Sequence, residues 1–209
     1  PGRSIDEVVA EFGHHEVVKL ASNENPLGAS PKALSILAEL ENDLHLYPDG
    51  NGTKLKEEIA DHENIAFDNI IIGNGSNEIL ELAARAFLNS NTSAIASKHA
   101  FAVYKIVTQS SGASLTEVPA CNWSHDLNSF VDYLDSSTRV IFIANPNNPT
   151  GTMITLKQIQ DLATKIPKQA LLVLDGAYAE YVDNYDGGTQ LVKKMRNVMM
   201  IRTFSKIYG

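Results

Sequence analysis

The chain has 209 residues, of which 44% are hydrophobic and 20% charged, as is ordinary for a globular protein with a sizeable core. A formal net charge of -8 argues against a nucleic-acid-binding protein, since such a protein needs a basic surface for phosphates. With one cysteine, no apolar run long enough for a transmembrane helix and no visible signal peptide, the chain is expected to lack disulfides, to avoid membranes and to be cytoplasmic.

Short, continuous apolar runs alternate with amphipathic helical segments along most of the chain. Such runs are typical of strands in a parallel sheet that helices cover on both faces. The predicted strands are Asn69–Ile72, Thr92–Ser97, Ser114–Val118, Arg139–Ala144, Ala170–Leu174 and Val198–Arg202. The alternation predicts an α/β fold with a mostly parallel open sheet and right-handed crossovers.

The predicted helices have recognisable starting signals. Ser30 and Pro31 supply an N-cap and a first-turn proline, and Thr155 with Gln158 forms a capping box. The other predicted helices cover Asn77–Leu88, Ala100–Ser110 and, with Asp126 as N-cap, the segment that ends at Leu134.

Polar and glycine-rich segments follow four of the predicted strands. They are Gly73–Asn77, Asn145–Gly151, Asp175 and Thr203–Lys206. In open α/β sheets, ligands bind outside the carboxyl ends of the strands. Because these ends meet at one edge of a parallel sheet, the sequence predicts a ligand site there.

Two of these segments suit an anionic ligand. Gly73–Asn77 would expose backbone N–H groups at the start of a helix, where a phosphate binds well. It contains neither a dinucleotide-binding nor a P-loop motif, and an ordinary strand-to-helix turn is the alternative interpretation. In Asn145–Gly151, two prolines stiffen the backbone and present asparagine amides that can donate to an oxyanion or a phenolate.

The charged residues extend this pattern. Asp175 could cap the following turn or form a buried carboxylate that needs a cationic partner, with Tyr178 on the same face if the turn is helical. Lys206 would be partly desolvated, which favours a neutral amine able to form a Schiff base. Pyridoxal phosphate has a partner group for each of these segments: a phosphate, an aldehyde, a cationic ring nitrogen and a phenolate. Phe101 could stack on its ring.

With these residues in place, the chain resembles the fold-type I pyridoxal-phosphate enzymes, and in particular the histidinol-phosphate aminotransferase branch. The segments that carry the resemblance cover nearly the whole chain in the family's order: Lys19–Gly28, Tyr47–Gly50, Gly73–Glu78, His99–Tyr104, Asn145–Gly151, Asp175–Tyr178 and Thr203–Lys206. The Asn148–Gly151, Asp175/Tyr178 and Ser205-Lys206 set indicates the aminotransferase superfamily. The Asn23–Gly28 segment favours the histidinol-phosphate branch.

The resemblance implies a role for each candidate residue. Lys206 would hold the cofactor covalently and move a proton between the substrate and the cofactor. Asp175 would pair with the pyridine nitrogen, while Asn148 and Tyr178 would donate to the phenolate oxygen. The residues implied around the phosphate and the ring are Gly75, Ser76, Asn77, Phe101, Thr203, Ser205 and, toward the partner subunit's cofactor, Tyr47. Asn25 is expected to contact the substrate.

The implied activity is the interconversion of histidinol phosphate and imidazole-acetol phosphate, with glutamate and 2-oxoglutarate as the amino couple, in histidine biosynthesis. The implied assembly is a homodimer, and neither a nucleic acid nor a membrane is an expected partner. Three alternatives stay open: an aromatic amino-acid aminotransferase, a pyridoxal-phosphate-dependent phosphoamino-acid decarboxylase, and a ligand-sensing domain of a transcription regulator.

The resemblance also predicts the domain organisation. Residues 1–30 would form an N-terminal arm, and residues 31–209 a large cofactor-binding domain that is incomplete at its C-terminal end, before the family's small domain. If Gly209 were the true terminus, no transaminase activity would be expected. The six histidines, among them the adjacent His14 and His15, show no metal-ligand spacing, so we expect surface or structural roles for them and no metal site.

Overall fold

The computed structural model describes residues 2–13 and 16–209, and the chain forms two compact units. The first contains the described part of residues 1–46 together with Phe204–Gly209, and the second contains Tyr47–Thr203. His14 and His15, predicted to have surface or structural roles, lie outside the described residues. The division into residues 1–30 and 31–209 stays a prediction.

The first unit contains two short capped helices, α1 (Ile5–Phe12) and α2 (Pro31–Glu39). In α1, Ser4 and Glu7 form a capping box. The predicted start of α2 is confirmed, since the Ser30 side chain accepts from the Ala33 N–H and Pro31 occupies the first turn.

The second unit contains six α-helices among its described residues. They are α3 (Thr53–Glu63), α4 (Gly75–Phe87), α5 (Val103–Ser110), α6 (Leu127–Asp132), α7 (Leu156–Ala163) and α8 (Thr189–Lys194). The predicted caps of α6 and α7 are confirmed, because Asp126 accepts from the Ser129 N–H and both bonds of the Thr155–Gln158 capping box are present. None of the described helices is both long and apolar enough to cross a lipid bilayer.

A parallel five-stranded sheet forms the centre of the second unit, which confirms the predicted fold class. Its strands are β1 (Ser93–Ser97), β2 (Ser114–Val118), β3 (Thr138–Ala144), β4 (Leu171–Asp175) and β5 (Val198–Ile201). They lie in the order β2-β1-β3-β4-β5, and every neighbouring pair is parallel.

Alternate side chains of each central strand enter two separate apolar cores. In β3, Ile141 and Ile143 pack into one core with residues of α6 and α7, while Val140 and Phe142 pack into the other with residues of α4 and α5. Because both faces are buried, the strand is apolar at every position from Val140 to Ala144, and this explains the continuous run in the sequence.

The prediction of a strand at Asn69–Ile72 is wrong. Residues Phe67–Asn69 form a 3₁₀ turn, and the segment after it pairs with no strand among the described residues. Ile70 has extended backbone angles, but Ile71 is largely exposed. An apolar run can favour an extended conformation, whereas a strand also needs a neighbour for its backbone N–H and C=O groups.

Candidate active site

The strand order creates a crevice at the carboxyl edge of the sheet, between β1 and β3. The chain runs from β1 outward to β2 and then returns across the sheet to β3, so the connections from these two neighbours diverge. Ligands of open α/β sheets bind at such a switch point. The segments that follow the two strands are 98–102, which contains Phe101, and Asn145–Gly151.

Two asparagines hold the Asn145–Gly151 loop in place. The buried Asn145 side chain donates to the Ile154 carbonyl at 3.0 Å and accepts from the Ile154 N–H at 2.9 Å. The Asn147 Nδ2 atom donates to the His99 carbonyl at 2.8 Å, which joins this loop to the segment after β1. The loop is thus fixed from both sides by side-chain bonds to backbone.

Asn148 and Tyr178 form a pair of donors beside this loop. Both side chains are half-buried, and the Asn148 Nδ2 atom lies 3.4 Å from the Tyr178 hydroxyl oxygen. Tyr178 directly precedes the 3₁₀ turn Ala179–Tyr181, three residues after the end of β4. An amide N–H and a phenol O–H at this separation suit one shared acceptor that carries negative charge.

Asp175 is both a buried carboxylate and a cap of the turn after β4. Its side chain is 5% exposed. Oδ1 accepts from the Ala177 N–H at 3.1 Å, and Oδ2 accepts from the Tyr104 hydroxyl at 2.8 Å. The Asn145 N–H donates to the Asp175 carbonyl at 2.9 Å, so β3 and β4 stay paired up to the site.

Tyr104 keeps its proton in this environment. Burial, together with the negative charge of Asp175, raises the pKa of the Tyr104 hydroxyl well above its ordinary value. The hydroxyl therefore stays a donor to the carboxylate. Phe101, the predicted ring-stacking residue, meets the Tyr104 ring edge-on, with the ring centroids 5.8 Å apart.

Gly75, Ser76 and Asn77 form the first turn of α4, two residues earlier than the predicted helix start. Gly75 has a φ of +76°, a conformation that favours glycine. Because α4 leads into the amino end of β1, its first turn points toward the carboxyl edge of the sheet. The backbone N–H groups of such a turn have no partner within the helix and suit an anion, although the Glu78 carboxylate already accepts from the Asn74 N–H at 2.5 Å.

Two further predicted site residues of the second unit differ in exposure. Thr203 is buried, two residues after the end of β5. Tyr47 is fully exposed.

The remaining predicted residues, Lys206, Ser205 and Asn25, belong to the first unit. The half-buried Lys206 donates from Nζ to the Ser22 carbonyl at 3.3 Å, and the Asn25 Nδ2 atom donates to the Ile207 carbonyl at 2.8 Å. Ser205 is exposed. The segment that carries the lysine is thus bonded to the segment that carries Asn25, whose contact with a substrate stays a prediction.

Sequence reasoning gave no role to Tyr104 or to Asn147. The signal for Tyr104 was present, because it follows Phe101 by three residues and therefore lies on the same face of a helical turn. Among the described residues, no three His, Cys, Asp or Glu side chains are grouped so that they could hold a metal ion. The absence of a metal site stays a prediction.

Comparison with known proteins gives one consistent result. Residues 15–209 match the family model of aminotransferase class I and II. Over its full length the chain is 48% identical to histidinol-phosphate aminotransferase 2 of Pseudomonas fluorescens and 43% identical to histidinol-phosphate aminotransferase of Akkermansia muciniphila. It spans 58% of the length of each of these curated relatives.

The fold is also similar to that of a solved histidinol-phosphate aminotransferase from Sinorhizobium meliloti in complex with pyridoxal 5'-phosphate. The TM-score is 0.91 and the sequence identity 25%, over the whole of this chain and 57% of that one.

Proposed function

Since the chain belongs to the aminotransferases of class I and II, we propose that the protein is a pyridoxal-phosphate-dependent aminotransferase that interconverts histidinol phosphate and imidazole-acetol phosphate. Glutamate and 2-oxoglutarate would be the amino couple, and the pathway would be histidine biosynthesis. The names of the relatives at 43% to 48% identity support this substrate. The observation that carries the proposal is the buried Asp175 carboxylate at the same sheet edge as the Asn148–Tyr178 donor pair.

The chemistry of this donor set fits pyridoxal phosphate. The Asp175 carboxylate would pair with a protonated ring nitrogen, and Asn148 and Tyr178 would donate to the phenolate oxygen. When bound, the cofactor supplies an electron sink for the electrons released at the substrate Cα.

The phosphate and the ring have their own proposed residues. Gly75 and the N–H groups of Ser76 and Asn77 would bind the phosphate at the start of α4. Thr203 and Ser205 would add hydroxyl donors to it, and Phe101 would pack against the ring.

Lys206 would form the covalent bond to the cofactor and transfer the proton of the substrate. Its amine would condense with the cofactor's aldehyde with loss of water. Once the substrate amine displaces it, the freed Lys206 amine would move a proton from the substrate Cα to the cofactor carbon.

We further propose a cytoplasmic homodimer, in which Tyr47 reaches the cofactor phosphate of the partner subunit. The full exposure of Tyr47 supports a contact with a group outside its own unit. Tyr47→Phe should then weaken cofactor binding without changing the fold, and cofactor titration with a thermal melt measures both.

A spectroscopic titration of the intact protein tests the activity. After pyridoxal phosphate is supplied, the bound cofactor should absorb in the visible range, and histidinol phosphate without a keto acid should abolish that band. Lys206→Ala should abolish the band from the start, whereas Lys168→Ala, a change at an exposed lysine, should leave it intact.

Two results would contradict parts of the proposal. If the band persists with histidinol phosphate but disappears with phenylalanine, the protein is an aromatic amino-acid aminotransferase. A protein that takes up no cofactor would refute the site itself.

A further inference from the structure

The roles proposed so far do not use the buried hydroxyl of Tyr104, which lies beside Asp175. Tyr104 is 1% exposed, and its hydroxyl donates to Asp175 Oδ2 at 2.8 Å. Tyr104 belongs to the first turn of α5, whereas Asp175 ends β4, so this bond links two elements that are distant in the sequence.

The Tyr104 ring is held independently of its hydroxyl. It stacks on Phe142 with the ring planes 4° from parallel and the centroids 4.7 Å apart, and it meets Phe101 edge-on. These aromatic contacts fix where the hydroxyl lies. A phenylalanine at this position would satisfy the same packing, so packing alone does not explain the oxygen.

The hydroxyl gives the second oxygen of the carboxylate a donor. Oδ1 accepts from the Ala177 N–H, and Tyr104 supplies the donor for Oδ2. Donors on both oxygens favour the ionised form of a buried carboxylate and restrict its rotation about the Cβ–Cγ bond. An ionised carboxylate in one orientation is what a cationic ring nitrogen requires.

We propose that Tyr104 is a positioning residue, whose hydroxyl keeps the Asp175 carboxylate ionised and in one orientation for the cofactor's ring nitrogen. This inference rests on the proposed function, because the ring nitrogen belongs to the cofactor proposed there. Tyr104 acts through Asp175 and touches neither the substrate nor the reacting atoms.

Tyr104→Phe tests the inference with the smallest change, since it removes one oxygen and keeps the stacked ring. The matched control is Tyr133→Phe, which removes the hydroxyl of a tyrosine that is 43% exposed. In the intact protein, we expect Tyr104→Phe to raise the Kd of pyridoxal phosphate about tenfold or more, the typical effect of losing a hydrogen bond to a charged group. The visible circular dichroism of the bound cofactor should change, and kcat should fall while the KM for histidinol phosphate stays within about twofold.

A double-variant cycle tests whether the hydroxyl works through Asp175. In an Asp175→Asn background, adding Tyr104→Phe should change kcat and the cofactor Kd less than about twofold, because the charge that the hydroxyl serves is already gone. A loss as large as in the wild-type background would overturn the inference.

A measurement on the wild-type hydroxyl requires no Tyr104 variant and no cofactor. The hydroxyl proton of Tyr104 should give a slowly exchanging, downfield NMR signal that moves upfield in Asp175→Asn. An unmoved signal would overturn the inference even if Tyr104→Phe failed to fold.

The outcomes also separate this inference from the proposed function. A wild-type protein that binds the cofactor, together with a Tyr104→Phe variant equal to it in Kd, circular dichroism and kcat, would overturn the role of Tyr104 alone. A wild-type protein that binds no cofactor would overturn both.

Discussion

Mild acid should destabilise the protein because of His125, whose buried ring is hydrogen-bonded to both β1 and β3. His125 is 6% exposed, its Nε2 atom lies 2.7 Å from the Ala144 carbonyl oxygen, and its Nδ1 atom lies 2.6 Å from Ser97 Oγ. A carbonyl oxygen only accepts, so Nε2 carries the proton and Nδ1 accepts from the Ser97 hydroxyl when the ring is neutral. Ser97 and Ala144 are the last residues of β1 and β3, so this ring bridges the strands that flank the crevice.

Burial lowers the pKa of His125 below its ordinary value of 6.5, and the bond to Ala144 offsets only part of this effect. Below about pH 6.5 the unfolded chain takes up a proton at this ring that the folded chain still excludes, so the free energy of unfolding falls as the pH falls. The contribution is complete above pH 6.5 and decreases toward the lower folded-state pKa, with a slope of at most about 1.4 kcal/mol per pH unit for one proton. The adjacent Asp126 titrates below this range, because its bonds with Ser129 lower its pKa from 3.8.

Urea denaturation at about pH 7.5, 6.5 and 5.5 measures this slope. His125→Gln should be less stable than wild type at the highest pH, because it loses part of the bridge, but it should lose less additional stability on acidification. His62→Gln, a change at an exposed histidine of α3, should keep the wild-type slope. Equal slopes for wild type and His125→Gln would refute the reasoning.

Two further predictions concern local structure in each unit. Thr155→Ala should lower the free energy of unfolding by about 1 kcal/mol, because it removes the N-cap of α7 that accepts from the Gln158 N–H; an unchanged urea midpoint would contradict this. Asn25→Asp keeps the acceptor for the Leu27 N–H but loses the donor to the Ile207 carbonyl, so the backbone amides beside Lys206 should exchange with solvent faster. Exchange at the wild-type rate would show that the Asn25 amide does not hold this segment.

The sequence alone was sufficient for the features that local physics determines. Strands β1 to β5 were predicted within two residues of their ends. Burial on both faces makes Val140–Ala144 of β3 and Leu171–Leu174 of β4 continuously apolar, so these two strands are the clearest in the sequence. The starts of α2, α6 and α7 were predicted because capping is a contact between near neighbours in the sequence. The position of the polar segments at one edge of the sheet could be predicted as well, because the carboxyl ends of parallel strands lie at the same edge.

Features that depend on distant residues could not be predicted in this way. Asn69–Ile72 has the composition of a strand, but pairing requires a neighbour that its own sequence does not specify. The bond between Tyr104 and Asp175 joins residues 71 positions apart, so no spacing rule reveals it. The position of the crevice between β1 and β3 follows from the strand order, which local patterns leave open.

The three asparagines of the loop after β3 have different structural roles, and this explains how a loop without regular secondary structure can hold a donor in one position. Asn145 closes the loop onto Ile154, and Asn147 bonds the loop to the segment after β1. With the backbone fixed on both sides, Asn148 can hold its amide beside the Tyr178 hydroxyl without contributing to the support. Donors that are in place before a ligand binds need no reorganisation when charge develops on it. The bonds of Asn145 and Asn147 would therefore support the donor role proposed for Asn148.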